Sequence, residues 1–592
     1  MDQMEIESAV GGLERSPAVE GEVEGPSPQA NLQAPDTLER RDSINNGDGN
    51  ENSTSRVPAD IQIQDPENQH QGNRSKRQTA ATLTALYLVM FTTALDQTIT
   101  ATSIPSISSS LHSAAGYTWI GSAYLLATAA TGPIWVRLSD IFGRKPALLG
   151  SVGAFALGSI LAATAGSMRM LIAARGVQGC GAGGVAQLVY VTIADLFSVR
   201  ERALWYGLLG GVWAVAGSAG PVVGGALTEG VGWRWCFWIN VPVCGLALVL
   251  LVVCLDVYNP RTGVRDGLLA VDWAGTVLVV GVTLLLLLGM EFGVLVPGWD
   301  SPTVVCMLVF GVVCVGVFVL VEGRVARYPL VPLRLFKEGS VNAVFVLAFA
   351  HGMVSLGVEY YLPLYFQSVK QVNPLQSGLF ILPMMVIEAG TDIVSGIILH
   401  RIGRYREITW VGVVLMCLGT GLFITLDREA SLAKIIGFEI VGGIGIALLF
   451  QTPAIAIQSS VRRGDTAAAI ATSGFLRNLA TSFSIVLGGV VFRNGMERQQ
   501  GFLLEQGLDR DVVRKLAGDM AAASVGIVKD IQDPKQREAV QDAFAWSLRN
   551  MFIFYTAVAG VAVVANVFVK QREMSTTHTE VKTGLEGLKS GN

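Results

Sequence analysis

Charge is scarce in this chain. Asp, Glu, Lys and Arg make up only 15% of its 592 residues, whereas soluble domains carry roughly a quarter. Histidine is rarer still, at five residues, and His112, His351 and His400 are too scattered to suggest a metal site. The seven cysteines (Cys180, Cys236, Cys244, Cys254, Cys306, Cys314, Cys417) contain no CxxC pair. Their odd number and irregular spacing argue against a disulfide framework or a zinc site. All fall within or at the edge of apolar runs and read as small packing residues. With a net charge of −4 and no basic face interleaved with aromatics, nothing points to nucleic acid. No GxxxxGK[ST] loop is present, which excludes ATP hydrolysis by that route. Gly179-Cys-Gly-Ala-Gly-Gly184 has the glycine density of a dinucleotide loop, but it lies inside an apolar run with no strand before it. With no nucleophile–base pair either, the chain does not read as an enzyme, and no cofactor is expected.

What is present is apolar: 51% of residues, gathered into blocks of about 17–25, the length that crosses a hydrocarbon core of about 30 Å. About fourteen helical spans result, six at roughly 79–104, 117–135, 146–166, 169–193, 204–228 and 236–255. Two more follow at roughly 273–290 and 303–321, then six at roughly 341–364, 378–399, 408–426, 435–457, 467–491 and 551–569. Before them no cleavable signal peptide is apparent. Residues 1–77 are polar and aperiodic and read as a disordered cytosolic tail, where Asn52 and Asn73 would stay unglycosylated.

Arginine and lysine set the orientation. With the N-tail inside, the cytosolic loops hold clusters such as Arg137, Arg144, Lys145 and Arg401, Arg404, Arg406, while the opposite short loops hold few. The domain reading is a tail at 1–77, a six-helix bundle at 78–256 and a linker with two extra spans at 257–338. A second six-helix bundle at 339–572 includes a long outer loop at 494–548, where Val512–Ala523 suits a surface helix; 573–592 is a cytosolic C-tail. The two bundles echo each other. Gly396 to Arg404 follows the tenth span as Val136 to Arg144 follows the second, an offset of about 260 residues. The expected class is therefore an all-α polytopic membrane protein of two related bundles plus a central pair.

Ionisable groups inside a span cost roughly 2.5–3.5 kcal/mol each, so each needs a reason. Asp96, Glu359, Glu388, Asp392 and Glu439 are such acids, and Arg175 and Arg477 such bases. Depth along the helices puts Asp96 and Arg175 at a common level, and the repeat relates Asp96 to Glu359 and Arg175 to Glu439. That arrangement suggests a central cavity carrying protons. In the fifth span Gly210, Gly211, Gly217, Gly220, Pro221, Gly224 and Gly225 form a small-residue ridge suited to an interface that seals and reopens.

These residues carry a family resemblance. Leu95-Asp-Gln-Thr-Ile99 through Pro105, Leu138-Ser-Asp140 with Gly143-Arg-Lys145, and Arg175-Gly-Val-Gln-Gly179 stand in order along the chain. Gly217-Ser-Ala-Gly-Pro-Val-Val-Gly-Gly225, Trp233-Arg-Trp and Phe237-Trp-Ile-Asn-Val-Pro242 follow. Together they resemble the major facilitator superfamily, in its fourteen-span drug:proton antiporter group common in fungi, over residues 78–572. The resemblance implies two six-helix bundles rocking about a midplane site while protons enter and a small amphipathic compound leaves. It implies a role for Arg175 in proton transfer, and the intramembrane charges add Asp96, Glu359, Glu388, Asp392 and Glu439 as candidates for proton coupling. Gating falls to Asp140, Gly143, Arg144 and Lys145 with Gly217, Gly220, Pro221, Gly224 and Gly225. Gln97, Gln178, Tyr360, Tyr361 and Arg477 would line the substrate cavity, with Phe366 beside them, although Tyr360, Tyr361 and Phe366 suit anchoring at the membrane interface equally well. The expected partners are a small molecule, protons and the bilayer, for a monomer in the plasma membrane, with the vacuolar membrane as the other location. An uptake carrier for siderophores or amino acids would share the fold, and a non-transporting receptor is a more distant alternative. One departure stands out: the loop signature normally opens on glycine, and here that position is Val136.

Overall fold

In the computed structural model, residues 75–111, 116–260, 262–295, 299–517, 527–578 and 583–585 are described; the tail reading for 1–77 falls almost wholly outside them. Twenty α-helices follow in order: α1 Lys76–Ser110, α2 Gly116–Phe142, α3 Arg144–Ala163, α4 Met168–Leu196, α5 Val199–Gly230, α6 Trp235–Trp238 and α7 Asn240–Cys254. Then come α8 Val264–Ala270, α9 Trp273–Leu295, α10 Pro302–Arg324, α11 Gly339–Ser368, α12 Pro374–Ile402 and α13 Arg406–Phe423. The rest are α14 Leu432–Leu448, α15 Thr452–Ser460, α16 Thr466–Arg498, α17 Gln500–Glu505, α18 Arg510–Ala517, α19 Ile527–Asp530 and α20 Pro534–Val567. Among the described residues, 13 helical segments are long and apolar enough to cross a membrane, and α2, at 27 residues, is long enough to be the fourteenth.

Local chemistry sets the helix ends. Ser198 and Glu201 form a reciprocal capping box at the start of α5, and Asn373 with Gln376 does the same for α12. Gly403 ends α12 in the left-handed region at φ 71°, and Gly143 breaks the chain between α2 and α3 at φ 101°.

Two boundaries differ from expectation. The span read as 435–457 is two helices, α14 and α15, parted at Leu449–Gln451; Pro453 sits in the first turn of α15, where its missing N–H costs nothing. The long outer loop is mostly helix. α16 continues to Arg498 and α20 begins at Pro534, both carrying charged turns beyond the apolar stretch that hydropathy detects. The proposed surface helix is present as Arg510–Ala517, and the remainder of that stretch lies outside the described residues.

Helices α1 to α7 pack as one bundle and α11 to α20 as another, while α9 and α10 pair with each other and touch the bundles through α2 and α16. One buried core joins the two bundles, bringing Ala203, Tyr206 and Val189 together with Leu399, Ile455 and Ala469. It lies toward the end that carries the basic loops, hereafter the basic face. Another core, around Tyr361, Phe423 and Tyr555, belongs to the second bundle alone, and one around Ile107, Ala162 and Phe237 belongs to the first. The bundles are thus sealed together at the basic face.

The chain beyond α20 crosses that face. Arg572 pairs with Glu338 at 2.5 Å, and the backbone N–H of Arg572 donates to the Tyr405 hydroxyl at 2.9 Å, both in the second bundle. Further on, the Arg200 N–H donates to the Ser575 carbonyl (3.3 Å), and His578 Nε2 lies 2.8 Å from the Asp195 carbonyl. The Gly584 N–H donates to the Asp140 carbonyl at 2.7 Å.

Candidate functional site

Two unequal polar clusters lie at the basic face. In the first bundle Arg144, almost fully buried, donates to Asp140 at 2.5 Å, Asp195 at 2.6 Å and Ser139 at 2.6 Å. Its charge therefore ties the α2–α3 turn to the end of α4. Lys145 donates to the Val252 and Leu255 carbonyls at 2.7 and 3.0 Å, capping α7. A Cβ at Gly143 would stand 2.9 Å from the Pro260 ring, so that turn needs glycine for space as well as for φ. The second-bundle echo has no acid. Instead Arg200, from the first bundle, donates to the His400 carbonyl at 2.7 Å and to the Arg401 carbonyl, and His400 Nδ1 lies 3.2 Å from the Arg200 carbonyl. Asp195 was not among the expected site residues, because the fourth span was read as ending just before it.

The glycine ridge of α5 serves two different neighbours. Its lower part meets α12 of the other bundle. A Cβ at Gly207 would stand 2.8 Å from the Asp392 carbonyl, one at Gly396 would stand 2.6 Å from the Ala203 carbonyl, and Gly210 lies against the Asp392 side chain. Its upper part meets α1 of its own bundle, with Gly220 against Thr98 and Gly224 against Thr102, while Gly217 and Gly225 have no atom within 4 Å of an added Cβ. Across the other seam, between α2 and α16, a glutamine fills the gap. Gln187 of α4 lies against both Gly132 and Gly474. The seam on the Val136 side is thus packed by a side chain, and the seam on the Gly396 side by backbone.

Asp96 and Arg175 are 2.5 Å apart, but they do not face a cavity between the bundles. They lie inside the first bundle, at 0% and 2% exposure. Asp96 also accepts from Gln178 (2.7 Å) and Asn240 (2.8 Å), and Gln178 donates to Ser159 (2.9 Å). The Arg175 guanidinium lies 4.3 Å from the centre of the Tyr124 ring, and its Nε donates to the Ile120 carbonyl at 3.1 Å. The pair thus stands at a common level, but the expectation that it lines a central cavity is corrected, and Gln178 is removed from the cavity lining. Asn240 and Ser159 were missed: uncharged polar residues in an apolar run carry no warning of a buried partner. Gln97 is half-buried one position along α1, within reach of Tyr124.

A second polar group occupies the middle of the second bundle, toward the first. Arg477 of α16 stacks 3.8 Å from the Phe450 ring centre at the α14–α15 break. Glu359 and Asp392 lie within electrostatic reach of Arg477, and Glu388 within reach of both acids. From the first bundle Tyr190 reaches in, accepting from Gln451 at 3.4 Å. His351 completes the floor, 2.9 Å from the Ile446 carbonyl. The structure therefore brings together Arg477, Glu359, Glu388 and Asp392, and leaves Glu439 apart. Glu439 is fully buried in α14, and neither carboxylate oxygen has a hydrogen-bond partner among the described residues. Tyr361 is likewise withdrawn from the expected cavity, buried against Tyr555 and donating to the Ile485 carbonyl at 2.5 Å, whereas Tyr360 is 54% exposed. Phe366 is fully buried. No cluster of His, Cys, Asp and Glu able to hold a metal occurs among the described residues.

Comparison with known proteins accounts for this architecture. The family model of the Major Facilitator Superfamily matches residues 86–485. The chain is 41% identical to the efflux pump dotC of Dothistroma septosporum, over 86% of this chain and 87% of that one. It is also 41% identical to the MFS-type transporter ppz2 of Metarhizium majus (87% and 89%) and 35% identical to the efflux pump FUS6 of Gibberella moniliformis (69% and 73%). Among solved structures, the human organic anion transporter MFSD10 superposes with a TM-score of 0.54 at 15% identity, covering 83% of this chain and 99% of that one. At that identity the likeness speaks for the fold alone. The extent of the family match and the length of the shared sequence make the conclusion direct: this chain belongs to the major facilitator superfamily, a multi-span membrane transporter and not an enzyme.

Proposed function

We propose that the chain is a proton-coupled efflux transporter that exports small amphipathic organic compounds (drugs, toxins or secondary metabolites) by alternating access of its two bundles. In this reading the protein is a monomer in the plasma membrane, the basic face is cytosolic and both termini lie on that side. Relatives named as efflux pumps support the direction of transport.

The observation that carries the coupling is the ion pair of Asp96 and Arg175, buried in an apolar bundle where, among the described residues, Asp96 is the one charged partner of Arg175 and the other neighbours are neutral polar groups and aromatic rings. A proton arriving on Asp96 takes away the counter-ion of Arg175. An unpaired buried charge costs about 3–5 kcal/mol, enough to shift a two-state equilibrium by two to three orders of magnitude. Protonation thus favours an arrangement in which Arg175 finds water or another partner. Arg477 with Glu359, Glu388 and Asp392 supplies the midplane surface on which a compound and a proton compete, with Tyr360 toward its rim. Arg144, Asp140 and Lys145 hold the basic face shut in one state, and the α5 ridge from Gly217 to Gly225, which contains Pro221, moves against α1 as it opens.

The test is Asp96→Asn in everted vesicles with an imposed proton gradient and a fluorescent lipophilic dye as the probe. Gradient-driven dye accumulation should be lost. Because Asn cannot balance Arg175, the purified variant should also lose about 3–5 kcal/mol of stability. Asp96→Asn with Arg175→Gln should recover the stability and not the transport. Full coupled transport in either variant would sink the reading.

A further inference from the structure

The inserted pair α9–α10 is the part of the molecule to which the transport reading gives no work. Its lipid-facing side is bland, a run of exposed valines along α10. Its ends at the basic face are not. Asp272 caps α9, its Oδ1 accepting from the Gly275 N–H at 2.9 Å. Glu322, near the end of α10 and only 4% exposed, accepts from the Leu330 N–H at 3.1 Å. The two acids converge over Gly275, where a Cβ would meet both. Between them and the α2–α3 turn lies Arg137, 8% exposed, its guanidinium 5.6 Å from the Tyr328 ring centre and within electrostatic reach of Glu322 and Asp272.

On its other side Arg137 reaches Asp140 at 3.6 Å, a loose pair beside the 2.5 Å contact of Arg144 with the same carboxylate. Three buried polar atoms in this cluster have no hydrogen-bond partner among the described residues: Arg137 Nε, Asp272 Oδ2 and Glu322 Oε2. Such open buried groups are costly, and a rearrangement that brought the guanidinium onto the two carboxylates would satisfy them. The linker fastens the same turn from below, Thr262 donating to the Ile141 carbonyl at 2.7 Å and Gly267 packing on the Phe142 ring.

We propose that Asp272 and Glu322 are positioning residues for the gate: they offer Arg137 a seat alternative to Asp140, so that the inserted pair sets how firmly the α2–α3 latch is held. When Arg137 sits with Asp140, it reinforces the Asp140–Arg144–Asp195 network and the basic face stays closed. When it turns to Asp272 and Glu322, the network loses one cation and the turn loosens. The proposal assumes that the basic face opens during transport, but its test needs no substrate and no proton gradient.

Backbone hydrogen exchange of the full-length protein in lipid nanodiscs is read over residues 136–145. Glu322→Gln weakens the alternative seat and leaves Arg137 mainly with Asp140, so exchange there should slow by about fivefold. Asp272→Asn, which keeps the cap on α9, should slow it in the same direction and supplies the reading if Glu322→Gln does not fold. Arg137→Gln removes the cation that both seats share, so exchange should speed, and adding Glu322→Gln to it should change nothing further, which a purely structural role for Glu322 would not predict. The proposal fails if the foldable single variants exchange at the native rate. It fails equally if Glu322→Gln slows exchange just as much when Arg137 is already Gln. A variant that exports the dye normally while showing slowed exchange would leave the transport reading standing and confine the inserted pair to tuning. Loss of dye export with native exchange would count against the inserted pair as a gate regulator.

Discussion

The contact of Gly207 with Gly396 sets backbone against backbone between the two bundles, and it invites a minimal perturbation. Replacing Gly396 by Ala adds one carbon that would stand 2.6 Å from the Ala203 carbonyl and 3.1 Å from Gly207 Cα, both backbone atoms that cannot rotate away. Relief requires α5 and α12 to separate. Overpacking of this kind costs about 1–3 kcal/mol, and at 1.4 kcal/mol per decade the closed state should lose roughly 5- to 150-fold in population relative to an open one. The bundles themselves should remain folded, because the new atom lies between them. Gly217→Ala and Gly225→Ala on the same ridge serve as controls, having no atom within 4 Å of the added carbon. Any gain from the better helix propensity of alanine would appear there too. Fluorophores incorporated at the exposed Arg265 and Glu407 report separation of the basic face by energy transfer. Lower transfer in Gly396→Ala and Gly207→Ala, with native transfer in the controls, is the expected result. Equal transfer in all four would refute the argument that backbone contact at this seam holds the face closed.

Two further outcomes follow from the same geometry. Arg200→Ala removes the donor that clamps the His400 and Arg401 carbonyls; the same energy-transfer pair should show a partly opened basic face, while Arg200→Lys should recover only part of the closure because lysine lacks the fork. Glu439→Gln replaces a buried carboxyl that has no polar partner among the described residues, so thermal unfolding should show a stability unchanged or raised, by up to about 3 kcal/mol. A marked loss of stability in that variant would mean that Glu439 has a partner in the folded state.

The fold was legible wherever lipid imposes a rule. Span lengths, basic loops and the echo of the α2–α3 turn in the α12–α13 turn follow from the cost of exposing polar groups to hydrocarbon, so α1 to α13 could be read almost helix by helix. Legibility failed at helix ends and at breaks. The interruption at Leu449–Gln451 leaves an apolar run that hydropathy cannot distinguish from one helix, yet it puts Phe450 beneath Arg477. Asp195, Glu291 and Glu322 all fell just past the predicted ends of their spans, and each has a specific partner: Arg144, Ser122 at 2.5 Å and the Leu330 N–H. The charged site residues announced themselves because each is expensive in a membrane. What they face did not: Asp96 and Arg175 at one depth could equally have lined the midplane, and only the packing of Tyr124, Ser159 and Asn240 around them encloses the pair within a single bundle.

The segment after α20 is anchored to both bundles, at Arg572 on one and at Gly584 on the other. Ser575 and His578 are nearer footholds on the first bundle, and once they let go the residues from Arg572 to Gly584 span about 40 Å when extended. Slack of that size makes the strand a poor tie. Whatever hold it exerts must come from adhesion, through the carbonyls of Asp140 and Asp195, and not from length. A strand that works as an adhesive can be lengthened with little consequence and disabled by altering a single contact; a leash would respond the other way round.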